Sequence, residues 1–172
     1  MNTNSVRFFD EHPVAKPGPD AELIVAAWKL VNAENMGKII RLGHNVGASK
    51  VLFIQGNEEH RLAKIRKTAG FSYDQMSWNF VSEDEFIEQY LSKYSLTVLE
   101  TCDGAGNIFT SSLPRKTILL GGSESHGLSA SIIQKSAMQV YIPIPGGSKS
   151  LNISNALSVA AFEWLRQTIY SD

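Results

Sequence analysis

Residues 139–156 read QVYIPIPGGSKSLNISNA. The stretch opens with a short apolar run, continues through prolines and glycines, and closes where a helical pattern begins. It therefore predicts a buried strand over residues 139–144, a loop, and a long helix over residues 151–168. Ser150 at the end of the loop suits the N-cap of that helix, a role that involves no ligand.

The same alternation of short apolar runs and helical patterns extends upstream. Further strands are predicted over residues 22–30, 51–54, 77–81, 96–100 and 117–120. Helices are predicted over residues 36–46, 57–68 and 83–91, and from residue 129 onward. Strands that alternate with helices indicate an α/β domain with a mostly parallel sheet and helices on both faces.

The beginning of the chain differs from the rest. Residues 1–20 are polar and contain Pro13, Pro17 and Pro19, which predicts an N-terminal extension with little regular structure. Residues 21–172 contain no internal repeat and no linker, so they are predicted to form one domain. A chain of 172 residues that is 43% hydrophobic is long enough to bury a core of ordinary size.

The charge balance limits the functional classes. The chain has 16 Lys and Arg residues against 17 Asp and Glu residues, a net charge of −1. Near-neutral charge with ordinary apolar content argues against intrinsic disorder. It also argues against binding of nucleic acid by overall electrostatic attraction, so a nucleic-acid role needs a local basic patch or a site assembled from two chains.

The cysteine count and the apolar runs indicate the cellular compartment of the protein. Cys102 is the single cysteine, which excludes an intramolecular disulfide and argues against a secreted disulfide scaffold. The first 13 residues lack the apolar run of a signal peptide. No stretch approaches the roughly 20 apolar residues that span a bilayer. A cytoplasmic protein without membrane contact is therefore expected.

Three loops that contain glycine follow predicted strands. Open parallel sheets bind ligands at the carboxyl ends of their strands, where these loops lie. The conspicuous residues are Asn35, Gly37 and Arg41 in the first loop, Gly121, Gly122, Glu124 and Gly127 in the second, and Gly146, Gly147, Ser150 and Asn152 in the third. Three such loops in one small α/β domain indicate an elaborate ligand site.

Each loop also has explanations that involve no ligand. Asn35 stands where an N-cap is expected, and Arg41 within an apolar stretch suits an ion pair with a carboxylate. Glu124 stands near a helix start, where the helix dipole favours an acid. The spacing of Gly122 and Gly127 matches a phosphate-binding P-loop only in part, because no Lys-Ser follows.

Together the three loops resemble the motifs of the SpoU (TrmH-like) family, the S-adenosylmethionine-dependent 2′-O-ribose RNA methyltransferases of the SPOUT class. The matching residues are Asn35, Gly37 and Arg41 of the first motif, Gly122, Glu124, Gly127 and Leu128 of the second, and Ile142, Pro143, Ser150, Leu151, Asn152, Ser154 and Ala156 of the third. The resemblance extends over residues 22–168 and is greatest to the short single-domain branch that methylates the wobble nucleotide of transfer RNA.

This resemblance implies an activity, a fold and partners. The expected activity is S-adenosylmethionine-dependent methylation of an RNA ribose 2′-hydroxyl, on transfer RNA with the wobble position favoured, with S-adenosylhomocysteine as product and no metal. A C-terminal trefoil knot and a homodimer are expected too. The alternatives are the same chemistry on another transfer-RNA or ribosomal-RNA nucleotide, or a catalytically silent knot protein that binds RNA.

The resemblance also implies roles for individual residues. The implied catalytic residues are Asn35, Arg41, Glu124, Ser150 and Asn152. The implied cofactor-binding residues are Leu99, Thr101, Gly122, Ile142, Ser150 and Leu151.

Contact with RNA requires local positive charge in a chain whose net charge is −1. The predicted helix over residues 57–68 is basic, and two further lysines lie near the glycine loops. The candidate RNA-binding residues are Lys38, Arg61, Lys64, Arg66, Lys67 and Lys149. A solvated helix face explains the charge pattern of this helix equally well.

Overall fold

The computed structural model describes residues 4–55, 59–123 and 127–170. Its strands are β1 (Glu22–Trp28), β2 (Lys50–Ile54), β3 (Trp78–Val81), β4 (Ser95–Leu99), β5 (Gly106–Asn107), β6 (Lys116–Gly121) and β7 (Met138–Tyr141). Its helices are α1 (Ser5–Glu11), α2 (Ala33–Val46), α3 (Leu62–Ala69), α4 (Ser72–Gln75), α5 (Glu83–Tyr90), α6 (Ala130–Gln134) and α7 (Ile153–Tyr170).

The strands form one sheet in the order β3-β2-β1-β6-β4-β7-β5. Every neighbouring pair in the described residues is parallel. The register places Ile24 of β1 beside Lys50 of β2 on one side and beside Ile118 of β6 on the other. The prediction of an α/β domain with a parallel sheet is therefore confirmed, and β1, β6 and β4 are its central strands.

Helices cover both faces of this sheet. Leu23 and Val25 of β1 belong to a core cluster that also contains residues of α2, α3 and α7. Ile24 and Ala26 belong to a second cluster that contains residues of α5 and α6. Because both faces are covered, β1 is buried from its second residue to its end. No helix in the described parts of the chain is long and apolar enough to cross a membrane.

Prolines and glycines shift the ends of two elements from the predicted positions. β7 ends at Tyr141 rather than at residue 144, because the prolines at 143 and 145 have no N–H for the ladder. The basic helix begins only at Leu62, since residues 59–61 are not helical, and it ends before Gly70, whose φ is 59°. Residue 57, its predicted start, lies outside the described residues.

Asn32, and not Asn35, caps α2. The Asn32 side chain accepts hydrogen bonds from the N–H groups of Glu34 at 2.9 Å and of Asn35 at 3.2 Å, so the helix begins at Ala33. The interpretation of Asn35 as the N-cap is therefore wrong. Asn35 lies inside the first turn with 3% of its surface exposed, and its side chain takes part in a tertiary contact described below.

The extension at the start of the chain contains more structure than predicted. The Asn4 side chain accepts hydrogen bonds from the N–H groups of Val6 and Arg7 and caps α1. Arg7 pairs with Glu11 one turn later at 2.7 Å. The prediction of little regular structure is wrong for this segment, because the prolines begin only after the helix has ended. Every residue of α1 is exposed, so the helix adds nothing to the core.

A hydrogen bond joins the start of β1 to the residue before β4. Tyr94 Oη donates to Glu22 Oε1 at 2.6 Å, and Lys116 Nζ lies 3.5 Å from Glu22 Oε2. The hydrogen bond from Tyr94 holds the pKa of Glu22 below its ordinary value. Burial, together with the Glu22 carboxylate, raises the pKa of Tyr94 to about 12.

We expect Tyr94→Phe to lower the free energy of unfolding by about 1 kcal/mol at neutral pH, the usual net contribution of one hydrogen bond. The depressed pKa of Glu22 stabilises the fold above the ordinary pKa of that carboxyl, and this contribution is lost as pH falls through the folded-state pKa. The difference in the free energy of unfolding between Tyr94→Phe and wild type should therefore become smaller as the pH falls. Urea unfolding from neutral to acidic pH measures it, with Tyr90→Phe as control. A difference that is constant across this range would contradict the interpretation.

Candidate active site

A cavity of about 600 Å³ opens where β4, β6 and β7 end. This volume lies within the range of small-molecule sites in proteins. The six residues predicted to bind a cofactor all line the cavity: Leu99, Thr101, Gly122, Ile142, Ser150 and Leu151. The structure thus brings together segments that are far apart in the sequence.

The end of the sheet ladder creates this opening. Leu99 of β4 is paired with Gly121 of β6 and with Val140 of β7, and these are the last pairs on either side. The ladder ends after the hydrogen bond from the Glu100 N–H to the Val140 carbonyl, and the polar main-chain groups of the segments that follow lie at the cavity. Leu99 and Ile142 supply apolar surface beside these groups. Such a lining suits a ligand with a flat apolar part and a hydrogen-bonding edge.

The glycines of the loop after β6 are required by close backbone packing. A Cβ atom on Gly122 would lie 2.5 Å from the carbonyl carbon of Gly127, closer than any real contact. The Gly127 N–H also donates to the Ser123 carbonyl at 3.0 Å, and Gly127 has a φ of 63°. The two ends of this loop therefore lie against each other at the cavity. Glu124, a predicted catalytic residue, lies outside the described residues.

Glu100 is a residue of this cavity that the sequence analysis missed. Its carboxylate accepts hydrogen bonds from the N–H of Thr101 at 3.0 Å and from the N–H of Leu128 at 3.1 Å. The signal that identifies it is simple: Glu100 is the acid that directly follows β4 at its carboxyl end. In the described parts of the chain, no group of three His, Cys, Asp or Glu residues could hold a metal ion.

A hydrogen bond between two amides links the first motif to the third. Asn152 Nδ2 donates to Asn35 Oδ1 at 3.2 Å across 117 positions of sequence. Asn152 Oδ1 accepts from the N–H of Ser154 at 3.0 Å and from its hydroxyl at 2.7 Å, which caps the start of α7. The N-cap is therefore Asn152, and the prediction that Ser150 fills this position is wrong. Ser150 instead is exposed and lines the cavity.

Arg41 lies apart from the cavity of its own chain. It follows Asn35 by six positions in α2, which is about 9 Å along a helix axis. Its side chain is exposed and does not line the cavity. Arg41 makes no ion pair with any described residue, so the interpretation as a structural ion pair receives no support. The structure thus joins Asn35 to the third motif but leaves Arg41 on the surface beside it.

The candidate RNA-binding cations fall into three groups. Lys64 pairs with Glu34 at 3.0 Å, while Arg66 pairs with Asp74 at 2.7 Å and lies over the Tyr73 ring. Three others, also exposed, make no ion pair within the described residues: Lys38, Arg61 and Lys67. Lys149 lines the cavity and donates to the Gly146 carbonyl at 2.9 Å. Two of the three cations of α3 are therefore paired with neighbouring acids.

Comparison with known proteins finds a family model and relatives that match most of the chain. Residues 22–162 match the model of the SpoU rRNA Methylase family. An uncharacterized tRNA/rRNA methyltransferase of Synechocystis sp. is 26% identical over 88% of this chain, which spans only 56% of that relative's length. A tRNA (cytidine(34)-2′-O)-methyltransferase of Burkholderia ambifaria is 29% identical over 77% of this chain and 87% of its own length.

Solved structures share the fold. The SpoU methyltransferase AviRb from Streptomyces viridochromogenes, in complex with the cofactor AdoMet, has a TM-score of 0.77 against this chain. The match covers 92% of this chain and 63% of the AviRb chain at 24% sequence identity. At this identity the likeness establishes the architecture alone, and it agrees with the parallel sheet described above.

The hydrogen bonds of Asn152 predict that two substitutions at this position lower stability by different amounts. We expect Asn152→Ala to lower the free energy of unfolding by about 1–3 kcal/mol, because both the helix cap and the donor to Asn35 are lost. Asn152→Asp keeps an oxygen for the cap and loses only the donor, so its effect should be smaller. Urea unfolding measures both, with Asn155→Ala on the exposed side of α7 as control. Wild-type stability in Asn152→Asp would show that the amide pair contributes nothing, and equal losses in the two variants would show the same of the cap.

Proposed function

The chain belongs to the SpoU rRNA Methylase family, and from this membership we propose that it methylates a ribose 2′-hydroxyl of RNA with S-adenosylmethionine, releasing S-adenosylhomocysteine. The observation that carries the proposal is the hydrogen bond between Asn35 and Asn152, which joins the first and third motifs at the rim of a cavity of about 600 Å³. The second motif contributes Gly122 and Gly127 to the same cavity.

The proposed RNA is transfer RNA, with the wobble nucleotide as target. The support is the length of the relatives: the chain covers 87% of the Burkholderia transfer-RNA enzyme but 56% of the Synechocystis protein. A relative of matching length needs no additional domain to select its RNA. The second candidate is the same chemistry on another transfer-RNA or ribosomal-RNA nucleotide.

The cavity lining fits S-adenosylmethionine. Leu99 and Ile142 offer apolar surface to a planar base, and the main-chain groups beyond the strand ends offer hydrogen bonds to its edge. Ser150 and Leu151 also line the cavity, and the cation of Lys149 suits a carboxylate. When bound, this cofactor supplies an electrophilic methyl group on a sulfonium.

We propose that Arg41 holds the RNA and polarises the reacting hydroxyl. A guanidinium carries five N–H donors and no free lone pair, so it is a poor proton acceptor. Its planar fork instead suits a phosphate of the target nucleotide. Asn152 and Asn35 hold the third loop in place beside it, and Ser150 lies exposed at the cavity. Glu124 keeps its proposed role of orienting Arg41 or Asn35.

We also propose that two copies of the chain complete each RNA site. Arg41 is exposed and lies outside the cavity of its own chain, so a second copy is needed to bring an Arg41 to the cofactor. This arrangement suits a protein whose single chain has a net charge of −1, because basic residues from two chains then share one site. We place this activity in the cytoplasm, where transfer RNA is processed.

A C-terminal trefoil knot is part of the same proposal. β7 is inserted between β4 and β5, two strands that precede it in the chain. α7 then packs against the segment that joins β5 to β6: Gln167 donates to the Ser111 carbonyl at 2.9 Å, and Trp164 donates to the Pro114 carbonyl at 3.1 Å. We assign residues 21–172 to this methyltransferase domain and residues 1–20 to an extension that carries the exposed helix α1.

Incubation with methyl-labelled S-adenosylmethionine and bulk RNA tests the function. We expect labelled transfer RNA, with the 2′-O-methyl group mapped to the wobble nucleotide. A label at a different nucleotide would support the second candidate. Calorimetry provides the independent readout, and a chain that binds no S-adenosylmethionine would refute the methyltransferase proposal.

In the same assay, we expect Arg41→Ala to lower methyl transfer by about 100-fold or more, the usual loss when a positioned charge is removed from an active site. Cofactor affinity should stay unchanged, because the proposed contacts of Arg41 are with the RNA and not with S-adenosylmethionine. Arg41→Lys keeps the charge without the fork and should retain part of the activity. Lys135→Ala, at the end of α6, is the control. Full transfer by Arg41→Ala would remove Arg41 from the mechanism.

The ion pairs of α3 predict which cations contact RNA. We expect the double variant Arg61→Ala/Lys67→Ala to bind transfer RNA more weakly than wild type. The slope of log affinity against log salt concentration should become shallower by about 1 to 2, because each lost phosphate contact reduces this slope by about 1. Lys64→Ala/Arg66→Ala, the matched control, should have a smaller effect because acids already hold these cations. Salt-dependent filter binding measures both. A larger effect of the control pair would reverse the assignment.

A further inference from the structure

Glu100 occupies a fixed position at the edge of the cavity. Its N–H donates to the Val140 carbonyl at 3.0 Å, the last hydrogen bond between the β4 and β7 segments, so its backbone is held by the sheet. Its side chain lies over the loop that ends the second motif. A Cβ atom on Gly127 would come within 2.8 Å of Glu100 Oε2, so the glycine makes room for the carboxylate.

The carboxylate retains acceptor capacity after its contacts with the protein. Oε1 accepts from the Thr101 N–H and Oε2 accepts from the Leu128 N–H. An ionised carboxylate has about four lone-pair sites, so roughly one site on each oxygen is left. Glu100 makes no ion pair with any residue that the structure describes. It is a half-buried acceptor at the cavity wall, with capacity left on both of its oxygens.

A carboxylate with a free acceptor site on each oxygen favours a ligand that carries two adjacent hydrogen-bond donors. Two neighbouring hydroxyls of a ribose supply such a pair, and an acidic residue serves as the ribose acceptor in other nucleotide-binding α/β folds. We propose that Glu100 binds the 2′- and 3′-hydroxyls of the cofactor's ribose, an assignment that rests on the proposed function. The same side chain holds the second-motif loop through Leu128, so the cofactor ribose and that loop share one anchor.

The alternative ligand group is the ammonium of the methionine part, which a carboxylate also attracts. Lys149 argues against this choice, because its cation lines the same cavity and suits the carboxylate of the methionine part. We therefore expect the methionine part of the cofactor to lie near Ser148, Lys149 and Ser150. Glu100 lies instead next to Leu99, whose apolar side chain suits the nucleoside. The nucleoside and its hydroxyls are therefore placed on the Glu100 side of the cavity.

Isothermal titration calorimetry of the full chain with S-adenosylhomocysteine and its 2′-deoxy and 3′-deoxy analogues tests this assignment. The wild type should bind at least one deoxy analogue about tenfold or more weakly, the usual loss for a hydrogen bond to a charged group. Glu100→Gln and Glu100→Ala should bind S-adenosylhomocysteine more weakly and discriminate against that analogue about twofold or less. Asp103→Asn, an exposed acid in the same loop, should behave as wild type.

The outcomes distinguish this assignment from the proposed function. Equal losses for all three ligands in the Glu100 variants would show that Glu100 only clamps the loop, and would overturn the assignment. 5′-Methylthioadenosine keeps the ribose and lacks the ammonium, so its affinity should fall in both Glu100 variants. Unchanged affinity for this compound would also overturn it. A wild-type chain that binds none of these compounds would instead refute the methyltransferase proposal.

Discussion

Parallel pairing of β6 with both β1 and β4 is the constraint on which the site depends. Strands that run in one direction end at one edge, so whatever follows each strand is delivered to the same place. The first motif follows β1, the second follows β6, and the third follows β7. The second and third motifs therefore share one cavity, and the Asn35 side chain of the first motif meets Asn152, 117 positions away in the sequence. Helices on both faces keep water from the sheet and fix this edge in position.

The contacts at that edge are short and leave little freedom. A Cβ on Gly37 would lie 2.7 Å from the Ile65 carbonyl oxygen, so α2 and α3 approach each other more closely than any other residue permits. Asn35, in the first turn of the same helix, accepts the hydrogen bond from Asn152. Glycine in the motifs thus serves backbone packing as much as ligand contact. A site built on such rigid elements is already shaped before a ligand arrives.

Electrostatics in this protein is local. The net charge of −1 and the ion pairs of Lys64 and Arg66 limit general attraction to a polyanion. Lys38, Arg41, Arg61 and Lys67 form no ion pair among the described residues, and these four are proposed to contact the RNA. Recognition in the proposed function therefore relies on the shape of the RNA and on a few cations, rather than on a strongly basic surface.

The sequence by itself determined the α/β architecture, the parallel sheet and the motif residues, because apolar periodicity and glycine loops are local signals. It did not reveal that Asn32 and Asn152 are the helix caps, since several polar residues near each helix start look equivalent until the backbone is known. β5 was not predicted because Gly106 and Asn107 carry no pattern. Only the tertiary structure showed Glu100 at the cavity and Arg41 away from it. Which side chains face one cavity depends on strand order and helix packing, and these join residues far apart in the chain.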